Sequence, residues 1–208
     1  MHEISHRVAT GWRCFWSSKS LLLNRRVSVR RRLALFDSTV GSCVLYCSES
    51  WTPRTDEFRK LTTARRAMLR RIVGALRFPD EDYIQWIRRV TSKAESMASA
   101  AKVRDWTTAH GLAKWAWAGH IARRPVDTLI WRVTFWRDSQ WQSFVNEFEP
   151  STRPRRPARR RWMRFEGTLR RYCSAEGLGP WRNVATSKGV CRDLAEAFAA
   201  FVTKTGAS

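Results

Sequence analysis

Arginine carries the most legible chemistry in this chain. Arg65 and Arg66 are followed one helical turn later by Arg70 and Arg71, and Arg30, Arg31 and Arg32 form an unbroken triplet. Guanidinium groups spaced by a turn can contact successive phosphates bidentately, and Arg outnumbers Lys 32 to 7, the choice that planar phosphate recognition favours. The rival reading of these helical sets is a solvated face. A second block, Arg153, Arg155, Arg156, Arg159, Arg160 and Arg161, runs into Trp162. Such a run cannot pack inward, and it repels itself unless a polyanion neutralises it. It also has the composition of a nuclear-import signal, and one segment can serve both ends. Trp162, inside the run, is the tryptophan best placed to stack on a base.

Other reactive residue types lack the partners that chemistry would need. His120 is flanked by Trp117 and Ile121, and Pro125 separates it from Asp127, so it reads as a hydrogen-bonded structural histidine rather than a metal ligand or base. The five cysteines, Cys14, Cys43, Cys47, Cys173 and Cys191, are odd in number and include no CxxC pair. Neither a full disulfide set nor a zinc ribbon fits them, and Cys43 and Cys47 read as two small core residues. Gly177 and Gly179 lack the lysine and the strand context of a phosphate loop. Of the 12 tryptophans, Trp86, Trp106, Trp115, Trp117, Trp131 and Trp136 sit among apolar residues at helical spacings, which places most of them in a core.

The whole composition agrees with a polyanionic partner. The net charge of +21 in 208 residues points to nucleic acid before an anionic membrane surface, while 43% apolar residues supply a packed core. No apolar run reaches the roughly 18 to 20 residues that span a bilayer. Met1 to Arg7 lacks the layout of a secretory signal, so a reducing compartment, nucleus or cytoplasm, is expected. The charge is uneven. Residues 1–78 hold 16 basic and 5 acidic residues, residues 79–150 hold 10 and 9, and residues 151–171 hold 9 and 1.

The elements that must position these groups read as helices nearly throughout. Val29, Leu33, Phe36, Val40, Val44 and Cys47 lay a stripe along about five turns. Thr52 and Pro53 open a second helix that Gly74 closes, with Phe58, Leu61, Met68, Leu69, Ile72 and Val73 inward and Arg59, Lys60, Arg66, Arg70 and Arg71 outward. Asp80, Glu81 and Asp82 suit the start of a third, whose stripe of Ile84, Ile87, Ala94, Met97, Ala98 and Ala101 runs on to about Trp106. Gly111 predicts a break before a helix from Leu112 to Arg123, ended by Pro125. Leu129 to Trp136 suits strand or helix, and helix fits its neighbours. Pro150 to Pro157 reads as a basic linker, Arg159 to Glu176 as a helix, and Lys188 to Val202 as a last helix with Cys191, Leu194, Ala197, Phe198 and Phe201 on one side. The expected fold is all-α. It comprises a basic helical unit over 1–78, a tryptophan-rich helical middle over 79–149, a Pro/Arg linker over 150–158 and a C-terminal helical unit over 159–208.

Ordered motifs add a family resemblance. Leu45-Tyr46-Cys47-Ser48-Glu49-Ser50-Trp51, Leu69-Arg70-Arg71-Ile72-Val73-Gly74 and Trp115-Ala116-Trp117-Ala118-Gly119-His120-Ile121-Ala122-Arg123 follow one another, then Arg156-Pro157 through Arg161-Trp162 and Trp181-Arg182-Asn183-Val184-Ala185. In this order they resemble the region downstream of the palm in endonuclease-bearing reverse transcriptases of non-LTR (LINE-type) retrotransposons, a resemblance that implies a thumb-like helical unit over 1–78. Cys47 stands where that family has glycine, at a turn or close approach, and Cys191 stands where it usually has tryptophan, which predicts looser terminal packing.

The resemblance implies a non-catalytic C-terminal fragment of an RNA-directed DNA polymerase that binds template RNA, DNA or RNA–DNA duplex through phosphates, and no membrane. Its implied partners include the missing palm and endonuclease domains. The chain has no Asp-Asp pair, so no cofactor is expected here, and the family's Mg²⁺ would belong to the absent palm. A stand-alone basic nucleic-acid-binding or nuclear adaptor protein, or an inactive retrotransposon relic, are the alternatives.

Overall fold

The computed structural model describes residues 3–125, 128–130 and 162–207. Among the described residues there are helices and no strands, so the fold is all-α. The chain divides into two compact units. The first is built from 1–48, 53–111 and 202–208, and the second from 49–52 and 112–201. Residue 78 is not a boundary between them. The helices on either side of it, α5 (Thr55–Val73) and α6 (Tyr83–Ala100), pack on each other inside the first unit.

The first unit opens with α1 (Glu3–Ser17), a helix outside the stripes read from the sequence. Its buried residues are Ile4, Gly11 and Phe15, one turn or two apart. Gly11 is required by proximity: a Cβ there would lie 2.4 Å from Val44 Cγ2, so a side chain would push α1 off its neighbour. A short α2 (Lys19–Leu22) leads to α3 (Val29–Phe36), which continues through a π-helical turn, Asp37–Gly41, into α4 (Ser42–Val44). The stripe of Leu33, Phe36, Val40 and Val44 is fully buried, as its spacing predicts. The helix that carries it is not uniform. The π turn inserts at Gly41, beside the indole of Trp106, which stacks on Phe36 at 5.9 Å.

Cys47, the last member of that predicted stripe, lies outside any helix and is exposed, with φ at 55°. Cys43 is only half-buried. The pair is therefore not a piece of core. A left-handed residue at this point is what glycine accommodates without strain, so the cysteine sits where the resembling family's glycine would be relaxed.

Helix α5 starts two residues later than Pro53 suggests, at Thr55, and Glu57 Oε2 accepts from the Arg54 backbone N–H at 2.8 Å. Gly74 ends it in the left-handed conformation, its N–H donating to Arg70 O at 2.9 Å. Phe58, Leu61, Met68, Leu69 and Ile72 are buried. Asp82 caps α6, its Oδ1 accepting from Ile84 and Gln85 N–H groups at 2.6 and 2.9 Å. The face α6 buries is Val90, Ala94 and Ala98, while Ile84 is exposed, so the predicted stripe is right only in its second half.

Helix α6 stops at Ala100. Lys102, with φ at 60°, completes the turn as Val103 N–H donates to Ala98 O and Lys102 N–H to Ser99 O. Asp105 then begins α7 (Trp106–Ala122), accepting the Thr107 N–H at 2.9 Å. This helix runs through Gly111 without a break, contrary to the sequence expectation, and Gly111 is buried.

In the second unit the later part of α7 meets α8 (Trp162–Ala175), α9 (Trp181–Thr186), α10 (Lys188–Asp193) and α11 (Ala195–Ala207). The expected single C-terminal helix is thus two, divided at Leu194. The core is aromatic: Trp115 stacks on Phe198 at 4.8 Å and meets Tyr172 edge-on at 5.6 Å. Cys191 is buried, and a Cβ on Gly119 would lie 2.7 Å from its sulfur. Trp115 Nε1 donates to Cys191 O at 2.7 Å. The small residue at 191 is closely packed, not loosely, because glycine at 119 lets the helix approach it.

Candidate nucleic-acid interface

The structure sorts the predicted arginines into internal and external groups. Arg32 is only 5% exposed. Its Nε donates to Val27 O at 3.0 Å, and Nη1 donates to Leu22 O and Ile72 O. Ile72 O belongs to the last turn of α5, where carbonyls have no partner within the helix, so Arg32 supplies one. Burial, then the nearby charge of Arg25, holds its guanidinium below the ordinary arginine value. Arg65 is 2% exposed and pairs with Glu95 at 2.7 Å and Asp105 at 3.6 Å. Neither Arg32 nor Arg65 can reach a phosphate without unfolding its surroundings, which removes both from the expected contact set.

Arg30 and Arg31 are exposed in the first turn of α3. Arg66 is half-exposed and shares Glu95 at 3.1 Å. Arg70 is half-buried and donates to Thr91 Oγ1 at 3.0 Å. Burial first, then the charge of Arg71, holds its guanidinium below the ordinary value. Arg71 is exposed, and its Nη1 donates to Ala67 O at 3.0 Å.

The bond from Arg32 to Ile72 O draws the first turn of α3 against the last turn of α5. The turn that carries Arg30 and Arg31 is therefore packed against the turn that carries Arg70 and Arg71. Arg25 joins them, its Nη2 placed 3.8 Å from where a Cβ on Gly74 would be. Arg25 is exposed, and no periodicity marks it, because the Arg25-Arg26 doublet belongs to no helical stripe. A cationic cluster at a helix C-terminus is favoured by the dipole, and it presents guanidinium groups where an anion can meet them.

Arg153, Arg155, Arg156, Arg159, Arg160 and Arg161 lie outside the described residues, as do Trp131 and Trp136. Trp162 is the first residue of α8. Trp106 and Trp115 are buried, as expected of core residues, whereas Trp86 and Trp117 are half-buried. His120 stacks on Trp117 at 5.3 Å, and its Nε2 accepts from Arg124 Nε at 3.1 Å, so that nitrogen carries no proton to donate. Both contacts are with residues close to it in sequence, Trp117 one turn earlier and Arg124 one turn later.

His110, unlike His120, is buried, and nothing in its sequence neighbours marks it. His110 Nδ1 lies 2.8 Å from Ser48 O, and because a carbonyl only accepts, the proton is on Nδ1. Lys114 Nζ likewise donates to Trp51 O at 2.9 Å from a site 1% exposed. Burial, reinforced by the charge of Arg171, lowers its ammonium to about 8. Both residues tie down the Ser48–Trp51 segment that follows the strained Cys47. Among the described residues no group of three or more His, Cys, Asp or Glu side chains could hold a metal ion. No helix among them is long and apolar enough to cross a membrane.

Comparison with known proteins finds similarity to an uncharacterised, transposon-derived protein of Caenorhabditis elegans, 27% identical over 193 residues. The match covers 90% of this chain and 62% of that protein, so the chain spans less than two thirds of the relative's length. No protein-family model matches the chain, and no solved structure matches it significantly. The similarity supports a transposon origin.

Proposed function

We propose that the chain is a non-catalytic part of a retrotransposon reverse transcriptase, from downstream of its palm, and that it holds template RNA or an RNA–DNA duplex through the phosphates. The observation that carries this reading is that exposed Arg25, Arg30, Arg31 and Arg71 lie on or beside the packed turns at the start of α3 and the end of α5. Crowded guanidinium groups raise one another's free energy, and a polyanion relieves that while gaining entropy from released counterions. The ordered motifs and the transposon-derived relative support the reverse-transcriptase context. The linker arginines add a second basic segment.

Mobility shift of structured RNA at increasing salt tests the reading. The logarithm of affinity should fall linearly with the logarithm of salt concentration, by about 0.7 to 0.9 for each phosphate neutralised. Affinity no greater than that of an unrelated basic protein such as lysozyme, or affinity indifferent to salt, would overturn it.

A further inference from the structure

One tryptophan stands out against the packing of the first unit. Helix α1 buries Ile4, Gly11 and Phe15, and most of the residues between them that face outward are small or polar. Trp16 breaks that pattern, with 47% of its surface exposed. It is nonetheless held in place. Trp12, one turn earlier, lies parallel to it at 6.2 Å and 23°, and buried Phe15 meets it edge-on at 5.3 Å and 88°. The Arg71 guanidinium sits 4.9 Å from the Trp12 ring and 6.0 Å from the Trp16 ring. Its bond to Ala67 O fixes it there.

We propose that Trp16 is a stacking platform for an unpaired base of a single-stranded nucleic acid, with Arg71 beside it to take the adjoining phosphate. The inference rests on the phosphate-binding reading above and specifies what that site does with a base. A rigid, half-exposed indole presents a π-face at little entropic cost, and every base has a π-face to offer in return. Arginine next to it adds a cation to the stack and a fork for the backbone. The positive charge of Arg71 against the two indoles selects a polyanion over an apolar peptide. Duplex bases are already stacked on each other, so only a single strand, a loop or an end can use the platform.

Fluorescence anisotropy with three labelled RNAs tests this: oligo(A) of about twelve nucleotides, an abasic strand of the same length, and a blunt duplex. Trp16→Ala should weaken oligo(A) binding about tenfold while leaving the salt slope, the abasic strand and the duplex unchanged. Trp16→Phe, which keeps a ring, should retain most of the affinity. Trp16→Leu, which keeps apolar cover over Trp12 without a π-face, should lose as much as the alanine variant while its circular dichroism matches the parent. Equal oligo(A) affinity for parent and leucine variant would overturn the stacking proposal and leave phosphate binding intact. An equal loss on the abasic strand would overturn it too. If the parent protein binds none of the three RNAs with salt dependence, the phosphate reading itself falls.

Discussion

At the scale of single residues, Cys47 and Lys114 are held in unfavourable states that the surrounding fold maintains. The left-handed backbone of Cys47 costs a β-carbon-bearing residue about 1 kcal/mol that glycine does not lose. Because its side chain is exposed, Cys47→Gly should raise stability by about that amount in urea unfolding, and Cys47→Val should lower it. Lys114 offers a test through pH. Its folded value of about 8 lies below the ordinary 10.5, so between those two the unfolded chain holds a proton that the native chain lacks. Native stability therefore rises with pH through that window, by at most about 3 kcal/mol, and below it the full cost of the buried charge applies. Lys114→Met should abolish this rise relative to the parent when both are unfolded at about pH 7 and about pH 10. Neither residue's state was legible from residue type alone. Spacing marked Cys47 as the end of an apolar stripe, and nothing local to Lys114 announces that the Trp51 carbonyl waits for it.

At the scale of elements, periodicity served best where a helix has one wet face and one dry face. The inward set of α5 and its glycine stop were readable because apolar positions recur and Gly74 needs a positive φ. The same periodicity cannot separate Arg65 from Arg66, since a long side chain on the border of the buried face can turn either way. Arg65→Ala should cost about 3 kcal/mol of stability by leaving Glu95 and Asp105 without their buried cation. Arg66→Ala should change stability by less than about 1 kcal/mol, and RNA titration should show its effect in affinity instead. The break expected at Gly111 failed for a related reason. Glycine disfavours a helix interior by about 1 kcal/mol, which packing on both sides readily outweighs. Gly119 is the contrary case, where the absence of a side chain is what the packing needs. With a Cβ 2.7 Å from the Cys191 sulfur, Gly119→Ala should destabilise by about 1 to 3 kcal/mol, seen as a lowered thermal midpoint.

At the scale of the whole molecule, the +21 is smaller than it looks as a binding charge. Arg32 and Arg65 are spent on carbonyls and carboxylates inside the first unit, and Arg123 donates to Ala185 O at 2.9 Å in the second. The division of charge between a basic N-terminal region, a near-neutral middle and a basic linker was readable directly, whereas the division into packed units was not, because α5 and α6 pair across the compositional step at residue 78. Replacing Arg153, Arg155, Arg156, Arg159, Arg160 and Arg161 by glutamine should flatten the salt dependence of RNA affinity. Removing the same number of charges between residues 79 and 150 should leave the slope unchanged.

The crowding of cations at the end of α5 also bears on how the protein is handled. Burial first, and then the charges of Arg25 and Arg71, hold the Arg32 and Arg70 guanidinium groups below the ordinary value, so like charges lie near one another there. A polyanion that binds the native state and relieves this repulsion acts as a folding partner by mass action. On the phosphate-binding proposal, RNA or heparin added to the purified protein should raise its thermal midpoint as the polyanion concentration rises.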